Sequence, residues 1–371
     1  MLYFIIGFII VLIIFYLVFI KYYPSFGAKI SKERKQLYSK SNQFKEGYFH
    51  NKKISAISHD GKLGSLKIAY RFFFKKPPNG IPNHDLPVKK LDPSEIANYE
   101  GASRLFWYGH SAFLLQLEGK NILLDPMFSK VAAPHNWLGS NRYNKELPLN
   151  ITDLPQIDAI ILSHDHYDHL DYQSIQQLKD KTEHFFVPLG VGTHLETWGV
   201  DKNKITELDW WQDITYKDIK LICTPAQHFS GRRISNNMET LWCSWTIITL
   251  KTRLFFSGDG GYSDHFKEIG DQYGPFDLAL MECGQYDEMW KSVHMIPEES
   301  IQAGLDVKAQ KLLPMHWGSF RLALHPWTDP IIRAKARAKE VNLPLVTPMI
   351  GEEVIINNPE QYYTNWWESI S

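Results

Sequence analysis

The residues that most directly indicate chemistry are His164, His166, Asp168 and His169, which lie within six consecutive positions. They follow an apolar run, Ile157 to Leu162, that predicts a buried strand. Side chains two positions apart on an extended chain point to the same side, so His164 and His166 can face one point in space. Asp168 and His169 follow as the chain turns toward a helix, and they can face a second point nearby. Because zinc binds imidazole and carboxylate, the sequence predicts half of a two-metal site and metal-assisted hydrolysis.

Three residues further along the chain have the same ligand chemistry, and each lies just past a predicted strand. They are His228, Asp259 and His316. Loops at strand ends commonly carry function, so these side chains are expected at one edge of a layered sheet. Taken singly, each of these residues has an ordinary alternative role, as a hydrogen-bonded loop histidine or a turn aspartate. The alternative for the first motif is a polar loop that is rich in histidine. Together they supply about as many ligands as two zinc ions need.

Composition places the chain among globular proteins large enough for a substantial core. It has 371 residues, of which 44% are hydrophobic and 22% charged, enough for one large domain or two ordinary ones. The net charge of −1 gives no overall attraction for nucleic acid. Three widely spaced cysteines form neither a disulfide framework nor a zinc motif, so small core residues are the expected role.

The elements that must position these ligands alternate between short apolar runs and amphipathic segments. Mixed elements in this order predict an α/β protein with two packed sheets and helices outside. Strands are predicted at 104–108, 112–117, 121–124, 157–162, 184–187, 219–223, 244–249, 253–256, 277–281 and 312–314, and helices at 171–179, 297–307 and 330–341.

The N-terminal stretch Leu2 to Ile20 is uncharged and almost wholly apolar. As a helix it spans about 28 Å, close to the thickness of a bilayer core, which predicts a transmembrane anchor. A cleaved signal peptide is the main alternative, but the run is too long for one, no basic region precedes it, and no clear cleavage site follows. A buried core helix is a weaker alternative. Lysines and arginines follow the span, which predicts a single-pass protein of the inner or plasma membrane with its main domain on the cytoplasmic side.

The order of the ligands resembles the metallo-β-lactamase superfamily, and the phrases around them resemble its N-acyl-phosphatidylethanolamine-hydrolysing phospholipase D branch. The resemblance covers about residues 100 to 350 and implies an αββα sandwich. The phrases that carry it are Trp107-Tyr108-Gly109-His110, Leu124-Asp125-Pro126, 163–171, 187–190, Gln227-His228-Phe229-Ser230-Gly231-Arg232, Ser257-Gly258-Asp259, 294–299 and His316-Trp317-Gly318.

The resemblance also implies roles for individual residues. One zinc would be held by His164, His166 and His228, and the other by Asp168, His169 and His316. Asp259 would bridge the two zinc ions. Asp125 would orient a ligating imidazole, and His294 would lie near the substrate phosphate. Asp259 or Asp168 would accept a proton from the nucleophile, a hydroxide bridging the metals. A homodimer is also implied, although no residue pattern shows one.

The predicted function is therefore hydrolysis of a membrane phospholipid, N-acyl-phosphatidylethanolamine, to phosphatidate and an N-acylethanolamine. The alternatives are a di-zinc hydrolase of a soluble phosphodiester, ester or lactone, and a non-catalytic membrane protein. The predicted segments are an anchor (1–21), a juxtamembrane extension (22–100), the hydrolase domain (101–356) and a tail (357–371).

Overall fold

The computed structural model describes residues 1–53, 77–135, 137, 139–233, 237–358, 361 and 363–370. Within these residues the strands are β1 (Phe44–Lys45), β2 (Tyr48–Phe49), β3 (Arg104–Trp107), β4 (Phe113–Leu117), β5 (Lys120–Leu124), β6 (Ile157–Ile161), β7 (Thr182–Pro188), β8 (Ile205–Leu208), β9 (Asp213–Tyr216), β10 (Ile219–Thr224), β11 (Ser244–Ile248), β12 (Arg253–Phe256), β13 (Leu278–Glu282), β14 (Leu312–Met315) and β15 (Glu353–Ile355). The helices are α1 (Leu2–Tyr22), α2 (Lys32–Tyr38), α3 (Pro93–Ala97), α4 (Tyr172–Leu178), α5 (Gly192–Thr197), α6 (His265–Tyr273), α7 (Pro297–Asp306) and α8 (Asp329–Glu340).

Two mixed sheets form the centre of the main domain. The first has seven strands in the order β15-β3-β4-β5-β6-β7-β8, and the second has six in the order β14-β13-β12-β11-β10-β9. Strands β5 to β8 are parallel to one another, as are β12 to β14, while the remaining neighbours are antiparallel. The predicted α/β sandwich of two packed mixed sheets is confirmed.

The central strands are mostly apolar because both faces of each sheet are covered. In β4, Phe113 and Leu115 point into the core between the sheets, whereas Leu114 points outward into a second core under α4 and α5. Residues of a strand alternate between its faces, so a strand with two buried faces needs apolar side chains at nearly every position. A third core lies between the second sheet and α6, α7 and α8, which completes the αββα layering.

Most predicted strands lie within two residues of their observed bounds, and the strands of the two main sheets that the prediction missed are edge strands. Strands β8, β9 and β15 end the two sheets and are partly exposed, so no apolar run marks them. Helices α2, α3, α5 and α6 and the two-stranded sheet of β1 and β2 were also missed. The strand predicted at 277–281 is displaced by one residue, since β13 begins at Leu278 and ends at Glu282.

The segment after α1 packs on the main domain. Helix α2 carries Arg34, which forms ion pairs with Glu196 and Glu207, and Lys35, which pairs with Glu239 at 2.7 Å. Part of the basic charge that follows the apolar stretch is therefore used to hold the extension in place. The residues from 54 to 76 lie outside the described part of the chain.

Candidate metal centre

The seven predicted ligands meet at one edge of the sandwich. The first motif follows the end of β6, whereas His228, Asp259 and His316 follow the ends of β10, β12 and β14. These three strands of the second sheet run in the same direction, so their carboxyl ends lie at the same edge. The first motif closes with Asp171, whose carboxylate accepts from the backbone N–H of Ser174 at 3.1 Å and caps α4.

The first ligand group consists of His164, His166 and His228. His166 Nδ1 lies 2.9 Å from His164 Nε2 and 3.1 Å from His228 Nε2. Ligands about 2.0–2.1 Å from one tetrahedral zinc would lie about 3.3 Å apart, which is close to these distances. The His228 Nδ1–H donates to the carbonyl oxygen of Val293 at 2.9 Å, which leaves the Nε2 lone pair for the group. The three side chains are therefore arranged as ligands of one ion.

The second ligand group consists of Asp168, His169 and His316, together with His110. Asp168 Oδ2 lies 3.5 Å from His169 Nε2, 4.0 Å from His316 Nε2 and 2.8 Å from His110 Nε2. His110 lies in one of the sequence segments that resemble the family, and the resemblance implied no role for it. It is fully buried, and its contact with Asp168 makes it a residue that positions this carboxylate.

Asp259 lies between the two groups. Its Oδ2 is 3.9 Å from the Nε2 atoms of both His164 and His228, and 3.0 Å from His169 Nε2. Its Oδ1 is 3.2 Å from His316 Nδ1. One carboxylate thus reaches histidines of both groups, which is the placement that a bridging ligand requires.

The protonation of these side chains suits metal binding. Burial lowers the pKa of His164 well below its ordinary value, and of His166 to about 4, so both imidazoles are neutral. Burial raises the pKa of Asp259 to about 7, although His169 opposes the change. Burial alone would lower the pKa of His169, but the carboxylates of Asp259, Asp168 and Asp125 raise it well above its usual range. A bound cation can replace the His169 proton as the partner of these carboxylates.

Two buried atoms at the centre of the cluster test whether a metal fits. Despite their close neighbours, His169 Nε2 and Asp259 Oδ1 form no hydrogen bond of suitable angle among the residues that the structure describes. Buried polar atoms are rarely left without a partner, because their desolvation is then uncompensated. An ion ligated by imidazole nitrogen and carboxylate oxygen would satisfy both atoms, so the donor set fits divalent metal ions such as zinc.

Asp125 supports the cluster from below. Its Oδ2 accepts from His169 Nδ1 at 2.6 Å and its Oδ1 accepts from the Ser163 backbone N–H at 2.8 Å. The hydroxyl of Ser163 also donates to Asp125, at 2.5 Å. This carboxylate fixes the His169 ring and directs its Nε2 toward Asp259, as the resemblance implies.

Gly258, beside Asp259, serves packing. Its φ is 56°, and a Cβ atom there would lie 2.7 Å from the Cys243 carbonyl oxygen and 2.8 Å from Ser163 Cβ. Glycine is therefore required because β12 turns sharply against the loop of the first motif.

His294 lies over the ligand cluster and is held by a carboxylate that the sequence analysis missed. Its Nδ1 makes a short hydrogen bond with Glu282, whose other oxygen accepts from the Gly260 N–H at 2.9 Å. Its ring stacks on His316 with centroids 5.4 Å apart. Glu282 ends β13, between the strands that precede Asp259 and His316, and it directly follows the strand predicted at 277–281, so the strand-end argument could have found it.

A cavity of about 330 Å³ opens above the cluster. Its floor is polar and includes His166, Asp168, Asp259 and His316, whereas apolar side chains form much of its walls. The remaining lining residues are Phe229, Gln285, Trp290, Val293, His294 and Leu322. A larger groove of about 710 Å³ near Arg142 is lined by none of the clustered ligands, so the ligands and not cavity size identify the site.

Comparison with known proteins gives consistent matches. A family model described as the beta-lactamase superfamily domain matches residues 120–317. An uncharacterized protein of Mycobacterium tuberculosis is 42% identical over 72% of this chain and 73% of its own. N-acyl-phosphatidylethanolamine-hydrolyzing phospholipase D 1 of Caenorhabditis elegans is 33% identical over 69% of this chain and 74% of its own. An isothiocyanate hydrolase from Delia radicum gut bacteria, 18% identical, shares the fold with a TM-score of 0.55 over 68% of this chain and 98% of its own.

Proposed function

Since the chain belongs to the β-lactamase superfamily, and within it to the branch of the N-acyl-phosphatidylethanolamine-hydrolysing phospholipases D, we propose that this metal-dependent hydrolase cleaves a phospholipid phosphodiester at a membrane. The products would be phosphatidate and, from an N-acylated substrate, an N-acylethanolamine. The observation that carries the proposal is a cavity with ligating residues on its floor and apolar walls above. Such a cavity suits an amphiphile whose phosphate meets the floor while its apolar part contacts the walls.

Seven residues are proposed to hold two zinc ions: His164, His166 and His228 for one, Asp168, His169 and His316 for the other, and Asp259 for both. Bound there, the ions would supply Lewis acidity toward the phosphoryl oxygens and activate water for attack at phosphorus.

The protein's own groups would then orient the substrate and move protons. The carboxylates of Asp259 and Asp168 lie on the cavity floor, where either can accept a proton from the attacking water. Because Glu282 holds His294 Nδ1, Nε2 is the ring nitrogen left to hydrogen-bond a phosphoryl oxygen or the departing alcohol. Phe229 and Trp290 on the cavity wall limit the access of bulk water.

Membrane attachment is proposed to come from α1. Within the described residues, one helix, Tyr3–Tyr22, is long and apolar enough to cross a bilayer. Its side chains are exposed from Tyr3 to Val18, so α1 is not a core helix of the main domain. Lys21 lies in its last turn, and Lys29 and Lys32 follow it, which favours a main domain on the cytoplasmic face of the inner or plasma membrane.

A substrate panel tests the proposed function. The full-length chain in phospholipid nanodiscs is assayed with N-acyl-phosphatidylethanolamine, phosphatidylethanolamine, phosphatidylcholine, bis-p-nitrophenyl phosphate and a lactone. We expect the N-acylated phospholipid to be cleaved fastest, with phosphatidate as a product. Cleavage of the lactone without any phosphodiester would contradict the proposal and favour a hydrolase of soluble esters.

A further inference from the structure

The connection between α1 and the main domain is short and held at several points. Helix α1 ends at Tyr22 and a 3-10 turn, Pro24–Phe26, follows. The indole N–H of Trp198 donates to the Pro24 carbonyl at 2.8 Å. The guanidinium of Arg232 donates to the Ser25 carbonyl at 2.7 and 2.9 Å, and Arg233 donates to the Phe26 carbonyl at 3.1 Å. The end of α1 therefore has a fixed position on the domain.

A loop of the main domain lies against the end of α1. The His135 ring is 5.2 Å from the Phe19 ring and 4.9 Å from the Tyr23 ring, measured between centroids. The Trp137 ring stacks on the His135 ring, with the two ring planes parallel to within 1° and the centroids 5.1 Å apart. Trp137 is 80% exposed, although tryptophan is among the largest apolar side chains. We call Phe19, Tyr23, His135 and Trp137 the anchor-base surface.

We propose that the anchor-base surface is a membrane contact in which Trp137 inserts into the headgroup region of the leaflet that α1 enters. The inference rests on the proposed attachment through α1. A helix that spans a bilayer has its last turn at the interface, so a ring that is two aromatic contacts away from that turn lies near the same depth. Tryptophan favours this depth because its ring is apolar while its N–H can reach water or lipid oxygens. Because the anchor-base surface is continuous with α1, we assign the lipid bilayer as the partner that contacts it.

The same surface is connected to the metal centre. Phe26 contacts His135, with centroids 5.7 Å apart, and also Tyr167, at 6.5 Å. Tyr167 lies in the chain between the ligands His166 and Asp168. The membrane contact is thus two aromatic contacts from the ligand loop, so a phospholipid held by the leaflet would be presented near the site.

Site-directed spin labelling tests this inference independently of catalysis. The three native cysteines are buried, so a cysteine introduced at an exposed position can be labelled selectively. Trp137→Cys is compared with Leu250→Cys, which lies in the turn between β11 and β12, at the sheet edge opposite the site, and is 95% exposed in the wild-type chain. Both full-length variants are placed in nanodiscs, and the label's collision rates with oxygen and with nickel-EDDA are measured.

We expect the ratio of oxygen to nickel collisions at position 137 to exceed that at position 250 several-fold, as for an immersed label. Equal ratios would overturn the inference, and so would dipolar broadening between two labels at 137, which would indicate a second copy of the chain. Immersion at 137 without phosphodiester cleavage would contradict only the proposed reaction. Absence of the chain from the bilayer fraction would contradict both the attachment and this contact.

Discussion

Three histidines of the ligand cluster that face Asp259 have Nδ1 in contact with a polar group outside the cluster. His228 uses Nδ1 on the Val293 carbonyl, and His169 uses Nδ1 on Asp125. His316 Nδ1 lies 3.1 Å from the Ser111 hydroxyl. Because a carbonyl and a carboxylate only accept hydrogen bonds, Nδ1 donates in His228 and His169, and Nε2 is the ring nitrogen that faces Asp259 in both.

Replacing the carboxylate between the two groups should remove the centre. Asp259→Asn should lower metal content and reduce phosphodiester turnover at least about a hundredfold, since the amide is a weaker ligand and cannot accept the proton. Metal content is measured by mass spectrometry, together with turnover. The control is Asp264→Asn, a nearby carboxylate that is exposed and pairs with Lys53. Full activity and metal content in Asp259→Asn would reject the bridging role.

Replacing the carboxylate under His169 should weaken metal binding without removing a ligand. Asp125→Asn should lower metal affinity about 10–100-fold, because the His169 ring loses the partner that fixes its orientation. Competition with a chromogenic chelator measures the affinity, and the exposed Asp153→Asn serves as control. An unchanged affinity would show that Asp125 serves folding alone.

The ligand types could be predicted from sequence because metal chemistry restricts the choice of residue. The expectation that His164 and His166 face one point followed from strand periodicity, and the structure brings these two side chains together with His228. The role of His110 could not be assigned in the same way. It depends on a contact with Asp168, which lies far along the chain, and no local spacing records such a contact.

At the scale of elements, one guanidinium joins the turn after α1 to both sides of the ligand loop. Arg232 Nη1 donates to the carbonyls of Asp165 at 2.6 Å and Leu170 at 2.8 Å, and the same side chain donates to Ser25. The ligands His166, Asp168 and His169 lie between these two carbonyls in the chain. Arg232 is therefore a positioning residue shared by the turn and the ligand loop.

Arg232→Lys should disturb both elements that this side chain joins. A lysine cannot donate to three carbonyls in the planar geometry of a guanidinium. We expect about a tenfold loss of metal affinity, by analogy with other groups that orient ligands, and faster proteolysis between Tyr23 and Ala28. Chelator competition and limited proteolysis measure the two effects. The control is Arg337→Lys on α8, which pairs with Glu340 at the surface; the same result in both variants would contradict the role of Arg232.

Predictability from sequence differed between elements for a physical reason. Central strands such as β6 and β12 are buried on both faces, so their apolar runs are unmistakable. Edge strands such as β9 are half-exposed and short, so they resemble loops in composition. The ion pairs of α2 with the main domain could also not be predicted from the sequence, because they join residues far apart in the chain.

At the scale of the whole molecule, metal binding should stabilise the fold. An ion that binds the folded state alone stabilises it by about 2.7 kcal/mol at a hundred times its Kd. Chelation should therefore lower the Tm by several degrees, and added zinc should restore it. Thermal melts of the full chain in detergent measure this. In Asp259→Asn the effect of added zinc should be much smaller, and an equal effect would indicate zinc binding elsewhere.

The last residues of the chain belong to the core between the sheets. Trp366 and Trp367, within the segment predicted as a tail, are buried there, and Trp366 lies 5.6 Å from Trp317 between ring centroids. Trp366→Ala should destabilise the protein by about 3–5 kcal/mol because it leaves a large cavity. Thermal melts compare it with the exposed Trp137→Ala, for which a change below about 0.5 kcal/mol is expected in detergent. Equal Tm values for the two variants would contradict this account of the tail.

Under the proposed attachment through α1, the docked turn that follows this helix has a kinetic consequence. A catalytic domain held close against the bilayer, without a long flexible tether, searches for substrate by lateral diffusion in two dimensions. The turnover rate should then follow the mole fraction of substrate among the lipids and stay constant when the total amount of vesicles is changed at fixed composition. Dilution of the substrate with inert lipid would slow such an enzyme, whereas dilution of the whole suspension with buffer would not.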